Sequence, residues 1–119
     1  MKITIPISIG ELLDKISILQ IKSQYTDNIY VTKELESLIE IAKQFEVFDF
    51  KYFDQLLKVN QKLWEIEDEL RIHEKSQDFS DTFINLARSV YITNDKRSSI
   101  KKEINERYKS SYREVKIHK

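Results

Sequence analysis

The chain has 119 residues, 40% of them apolar and 34% charged, and its 20 basic side chains are balanced by 20 acidic ones. That length suits a single domain, residues 1–119, and excludes two ordinary ones. The balance of charge removes the general electrostatic pull toward nucleic acid, the lack of cysteine removes disulfides and thiolate chemistry, and no apolar run nears the roughly 18 residues that span a bilayer.

Glycine and proline occur once each, at Gly10 and Pro6. An all-β fold needs many turn residues, so this composition predicts an all-α protein: a bundle of about four helices joined by short loops. The opening MKITIPIS is too short and too soon polar for a secretory signal, so a cytoplasmic protein with no membrane partner is expected.

Residues 2–7 alternate Ile3, Ile5 and Ile7 with polar residues and Pro6. This is a strand pattern, confined by the proline to a sheet edge. Ser8 is a good N-cap, and Glu11 three residues on completes a capping box that starts the first helix.

That helix, residues 8–25, carries apolar residues on two opposite sides. Ile9, Leu12, Leu13, Ile16 and Leu19 fall on one, Ile18, Ile21 and Tyr25 on the other, with Asp14 in the middle of the second stripe. A surface helix needs one stripe. Two predict a helix covered from both sides, by its own chain or by a second copy.

A polar break at Thr26, Asp27 and Asn28 precedes a one-sided second helix, about residues 30–46, with Val31, Leu35, Leu38, Ala42 and Phe45 on its stripe. The aromatic run FEVFDFKYF follows, which reads as a plug for one end of the bundle or as a dimer contact, and Asp49 can cap the next helix. The third helix spans about residues 50–75, with Phe53, Leu56, Leu57, Leu63, Trp64 and Leu70 on its stripe. The fourth spans about residues 81–108, with Phe83, Leu86, Ala87, Val90, Ile100 and Ile104. In the tail, residues 112–119, Val115 and Ile117 alternate with charges, and this segment can pair with residues 2–7 as a small two-stranded β-ribbon if the ribbon packs on the helices. The doubled stripe and the aromatic turn offer more apolar surface than four helices easily hide, which predicts a homodimer.

Seven polar residues interrupt the stripes: Asp14 on the first helix, Asn60, Glu67 and Arg71 on the third, and Asn94, Arg97 and Lys101 on the fourth. A buried polar group without a partner costs several kcal/mol. One reading pairs them internally, Glu67 with Arg71 or Arg97 and Asp14 with Lys101, to fix register. The other makes them the lining of a cleft in which Arg71, Arg97 and Lys101 meet a small anionic ligand, since bundle sites are built from inward-facing side chains. An adaptor module, with polar residues that only set packing, belongs to the first reading.

Other chemistry is sparser. Glu11 with Asp14 and Glu65 with Asp68 place two carboxylates on one helix face and are similar to the acidic pairs of all-helical nucleotide pyrophosphohydrolases, which bind magnesium. His73 and His118 have no ligand spacing, and there is no nucleophile–base pair or glycine-rich phosphate loop, so no cofactor and no metal site is assigned.

The stretch from Ile9 to Lys22, with Gly10-Glu11-Leu12, Asp14-Lys15, Ile18-Leu19 and Ile21-Lys22, resembles the opening of a bacterial and phage family of unknown function that reads GEL-x-DK-x-TIL-x-IK. Ser17 stands where that family usually has threonine. Asn60, Leu63-Trp64, Glu67-Asp68 and Arg71 resemble its middle block, and Leu86-Ala87-Arg88, Val90-Tyr91, Thr93-Asn94-Asp95 and Arg97, then Lys101, Glu103, Ile104 and Asn105, its third. The tail departs from the usual ending. The resemblance implies no activity, but it adds Lys15 and Arg88 to the candidate ligand-binding set of Asp14, Asn60, Glu67, Arg71, Asn94, Arg97 and Lys101. The first helix is also faintly similar to chorismate mutase, without the arginines that such a helix uses for its dicarboxylate.

Overall fold

A computed structural model describes residues 1–117. It holds four helices in order, α1 (Ile9–Ser23), α2 (Ile29–Gln44), α3 (Phe50–Lys75) and α4 (Asp81–Arg107), and no strand among the described residues. The fold is all-α, as the scarcity of glycine and proline predicts. No described helix is long and apolar enough to cross a membrane.

Local chemistry sets the helix starts. The Ser8 hydroxyl accepts from the Glu11 N–H at 3.1 Å, Asn28 accepts from the Tyr30 N–H, and the Asp49 carboxylate accepts from Lys51 and Tyr52. Each satisfies a donor that the first helical turn leaves open. The helix ends are less orthodox. Past α2, α3 and α4 the chain turns through a left-handed residue, Glu46 (φ 56°), Gln77 (φ 53°) and Lys109 (φ 53°), and the next N–H returns to a carbonyl in the last turn, as Val47 does to Ala42 at 2.9 Å. Glycine usually holds that position. Here three ordinary side chains do, which is how the chain manages with one glycine.

α1 packs against all three other helices, and α3 and α4 form a long antiparallel pair. Leu12, Leu13, Ile16 and Leu19 share one core with Leu35 and Ala42 of α2, Val47, Leu56 of α3 and Ile104 of α4. On the other stripe Asp14 and Ile21 are buried, Ile18 is half-buried and Tyr25 is exposed. Most of both stripes of α1 is therefore covered within one chain. At its end the Tyr25 ring stacks on Trp64 at 5.1 Å. In the aromatic turn Phe48, Tyr52 and Phe53 pack on the core, which supports the plug reading, while Phe45 and Phe50 are exposed. Phe45 lies beyond the end of α2, so its place on the predicted stripe is lost. Ala87 is likewise exposed.

The terminal ribbon does not form among the described residues. Residues 1–7 and 113–117 carry no regular structure, and Ile3, Ile5, Val115 and Ile117 are exposed. With no apolar face packed on the helices, a two-stranded ribbon lacks what stabilises it. His118, read as an isolated surface residue, lies outside the described residues.

Candidate functional site

The start of α1 runs antiparallel to the end of α4 in a polar ladder. The Ile9 N–H donates to Ser110 Oγ at 3.1 Å, and the Gly10 N–H to Asn105 Oδ1 at 2.7 Å. One turn further along α4, Lys101 Nζ donates to Glu11 Oε2 at 2.7 Å, and one turn beyond that Arg97 grips Asp14. Residues 97, 101 and 105 recur every four positions and so share one face of α4. Gly10 is what lets the helices approach: a Cβ there would stand 2.7 Å from the Lys101 carbonyl oxygen.

Asp14 is fully buried, and its carboxylate is fully employed. Arg97 Nε donates to Oδ1 at 2.8 Å, Arg97 Nη2 donates to Oδ2, and Asn60 Nδ2 of α3 donates to Oδ1 at 2.9 Å. Asn60 also donates to Ser17 Oγ at 2.7 Å, and Ser17 donates to the Asp14 carbonyl at 2.7 Å. A buried charge is tolerable when it is paired and its remaining lone pairs are hydrogen-bonded. The Asp14 bond raises the affinity of the Arg97 guanidinium for its proton, against the effect of burial.

The expected pairings were exchanged. Asp14 takes Arg97 rather than Lys101, and Lys101 takes Glu11, whose carboxylate does not close the capping box on Ser8. Glu67 is exposed and pairs with neither arginine, and Arg71 reaches only its neighbour Asp68, at 3.4 Å on the surface. The reason is length. α1 has 15 residues and α3 has 26, about 22 Å against 39 Å, so the stripe of α3 continues past the point where α1 stops covering it. Lys15 and Arg88 are exposed as well.

Of the candidate residues, then, the fold gathers Asp14, Asn60, Arg97 and Lys101, with Asn94 on the adjoining surface. It leaves Lys15, Glu67, Arg71 and Arg88 outside. Sequence reasoning left Ser17, Asn105 and Ser110, all buried and polar, out of the candidate set, although Asn105 belongs to the third block of the family resemblance. Ser17 had a signal: it sits three residues after Asp14 on a helix and so shares its face.

Beside the ladder lies an open groove of about 770 Å³, lined by Val90, Tyr91, Asn94, Asp95, Arg97, Ser98 and Lys101 of α4 with Glu114 and Lys116 of the tail, so that three cations face two carboxylates. Only one edge of the Arg97 guanidinium is engaged. Nη1 has no hydrogen-bond partner among the described residues, and the side chain is 26% exposed. Lys101, buried to 7% exposure, donates to Glu11 and also stands 2.9 Å from Glu114. Burial lowers its proton affinity, but the bonds to Glu11 and Glu114 outweigh this and raise it. Both cations stay charged at neutral pH.

The two acidic pairs lie in different settings. Glu11 and Asp14 are each committed to a cation, Glu65 and Asp68 are exposed on α3, and no group of three or more carboxylate or histidine side chains among the described residues is placed to hold a metal ion.

The sequence profile of DUF6165, a family of unknown function, matches residues 1–117, and the chain belongs to that family. No curated protein and no solved structure matches it.

Proposed function

We propose that the protein binds a small anionic metabolite, a phosphate or carboxylate compound, in the groove along α4. The observation that carries this reading is the divided arginine. Asp14, itself held by Asn60, fixes Arg97 along one edge of the guanidinium, which leaves Nη1 as a pre-set donor for the groove at little further entropic cost. A planar guanidinium with a pre-set free edge suits phosphate or carboxylate oxygens. Lys101 adds a second charge one turn away, and Asn94 and Ser98 add neutral donors. The buried network and the binding surface are thus two sides of the same residues.

The competing reading is an interaction module in which the ladder serves only register, and the complete satisfaction of Asp14 favours it. Thermal unfolding with a panel of anions (inorganic phosphate, citrate, a hexose phosphate and a nucleoside diphosphate) separates the two. A binder gains about 2.7 kcal/mol at a hundredfold excess over its dissociation constant. That gain should shrink in Asn94→Ala, which alters the groove and leaves the ladder intact. No gain with any anion in the panel assigns the residues to architecture alone.

A further inference from the structure

The tail after Ser110 lies along α4, and very little holds it. Its own turn is local: Ser110 Oγ donates to the Tyr112 carbonyl at 2.7 Å and Arg113 Nε to the Ser110 carbonyl at 3.2 Å. Beyond that turn no backbone hydrogen bond ties residues 114–117 to the bundle among the described residues. No apolar packing does so either, since Val115 is 78% and Ile117 82% exposed. The attachments are two ion pairs, Glu114 with Lys101 at 2.9 Å and Lys116 with Asp95 at 3.4 Å. All four of these residues line the groove.

We propose that this tail is a displaceable strap: the Glu114 carboxylate occupies the anion position over Lys101, beside Arg97, and an incoming carboxylate or phosphate competes with it and releases the tail. The inference rests on the anion-binding reading above and adds its regulation. Glu11 is not the competitor, because it sits on the first turn of α1, packed against α4, and stays on Lys101 whatever the tail does. Glu114 is exposed and lies outside the helices, so its replacement alters no helix and no core residue. Lys101 and, at longer range, Lys116 and Arg97 hold the Glu114 carboxyl below its ordinary range, so it is an anion at neutral pH. Glu11 and Glu114 each take one donor of the Lys101 ammonium, and a second anion entering from the groove meets the Glu114 carboxylate as a like charge, so the strap and the ligand compete by repulsion. Partly exposed ion pairs are weak and salt-screened, which is what a strap needs if a metabolite is to lift it.

The test is calorimetric titration of the full chain, at low ionic strength, with inorganic phosphate and separately with citrate, in wild type, Glu114→Gln and Lys116→Gln. Heteronuclear NOEs of the Val115 and Ile117 amides are followed in parallel. Glu114→Gln should bind the probe about two- to fivefold more tightly, the range an exposed ion pair supplies. Lys116→Gln should lower the Val115 and Ile117 NOEs without that gain in affinity, because it also removes a cation from the groove. Saturating probe should lower the wild-type NOEs to their values in Glu114→Gln. Binding by Glu114→Gln alone supports the strap in its strongest form. Phosphate and citrate arms show which oxyanion lifts it better. Equal or weaker binding by Glu114→Gln, with tail NOEs unmoved at saturation, overturns the strap and leaves the anion site standing. If neither wild type nor Glu114→Gln takes up either probe, the site falls and the strap with it.

Discussion

Arg97 shows how much one side chain can carry. It is the counter-ion of a fully buried carboxylate 83 residues earlier in the chain, and it faces an open groove. Replacing it with methionine strands Asp14, and breaking a buried pair in this way costs about 3–5 kcal/mol. Arg97→Met with Asp14→Leu should recover much of that loss, because the uncompensated charge leaves with it. Urea denaturation of both variants measures the difference. No recovery in the double variant would mean that Asp14 is held by something other than Arg97. The positions of Asp14, Asn60, Arg97 and Lys101 were legible in sequence, since a polar residue on an apolar stripe must find a partner. Which partner was not legible. A helical stripe fixes the face a residue shares but not the depth at which another helix crosses it, so Asp14 was as open to Lys101 as to Arg97.

At the scale of elements, the helix bounds were legible to within two residues, but the way the helices end was not. Ser8 and Asp49 announce themselves as caps, and α3 has the bounds its pattern predicts. The left-handed turns at Glu46, Gln77 and Lys109 leave no glycine to read. These positions are a reserve of stability. Glu46→Gly should stabilise the protein by about 1 kcal/mol, because it relieves the left-handed backbone and removes a negative charge from a helix C-terminus. A rise in the urea midpoint at constant slope is the expected result, and a fall would show that the lost side-chain packing outweighs the strain. Glu67 and Arg71 teach the complementary lesson. Their spacing puts them on the core stripe of α3, but periodicity does not report where the covering helix runs out. The predicted ribbon fails for a related reason: alternation describes a face and does not supply anything to pack against it.

The whole molecule is tied together at a second point, away from the groove. The Tyr108 hydroxyl, just past α4, donates at 2.7 Å to Asp49 Oδ2, whose other oxygen caps α3. The bond from Tyr108 lowers the Asp49 pKa below 3.8, and the same bond raises that of Tyr108 above 10.0. The depressed carboxyl contributes stability that is present above pH 3.8 and lost as pH falls through its folded value. The raised phenol contributes stability that is present below pH 10.0 and lost as pH rises through its own folded value. Tyr108→Phe should therefore cost about 0.5–1.5 kcal/mol at neutral pH. The gap between variant and wild type should close toward both extremes. Denaturation midpoints at three pH values check this, and a gap independent of pH would show that the hydroxyl contributes by packing alone.

The ladder between α1 and α4 joins residues up to 101 positions apart, Ile9 to Ser110. That span has a consequence for synthesis. When α1 leaves the ribosome it carries two apolar faces and a carboxylate destined for the interior, and its cation is still unmade. The α1–α2 hairpin can collapse early, but burying Asp14 before Arg97 emerges would mean desolvating a lone charge. Burial of Asp14 together with its counter-ion therefore waits until α4 has been made.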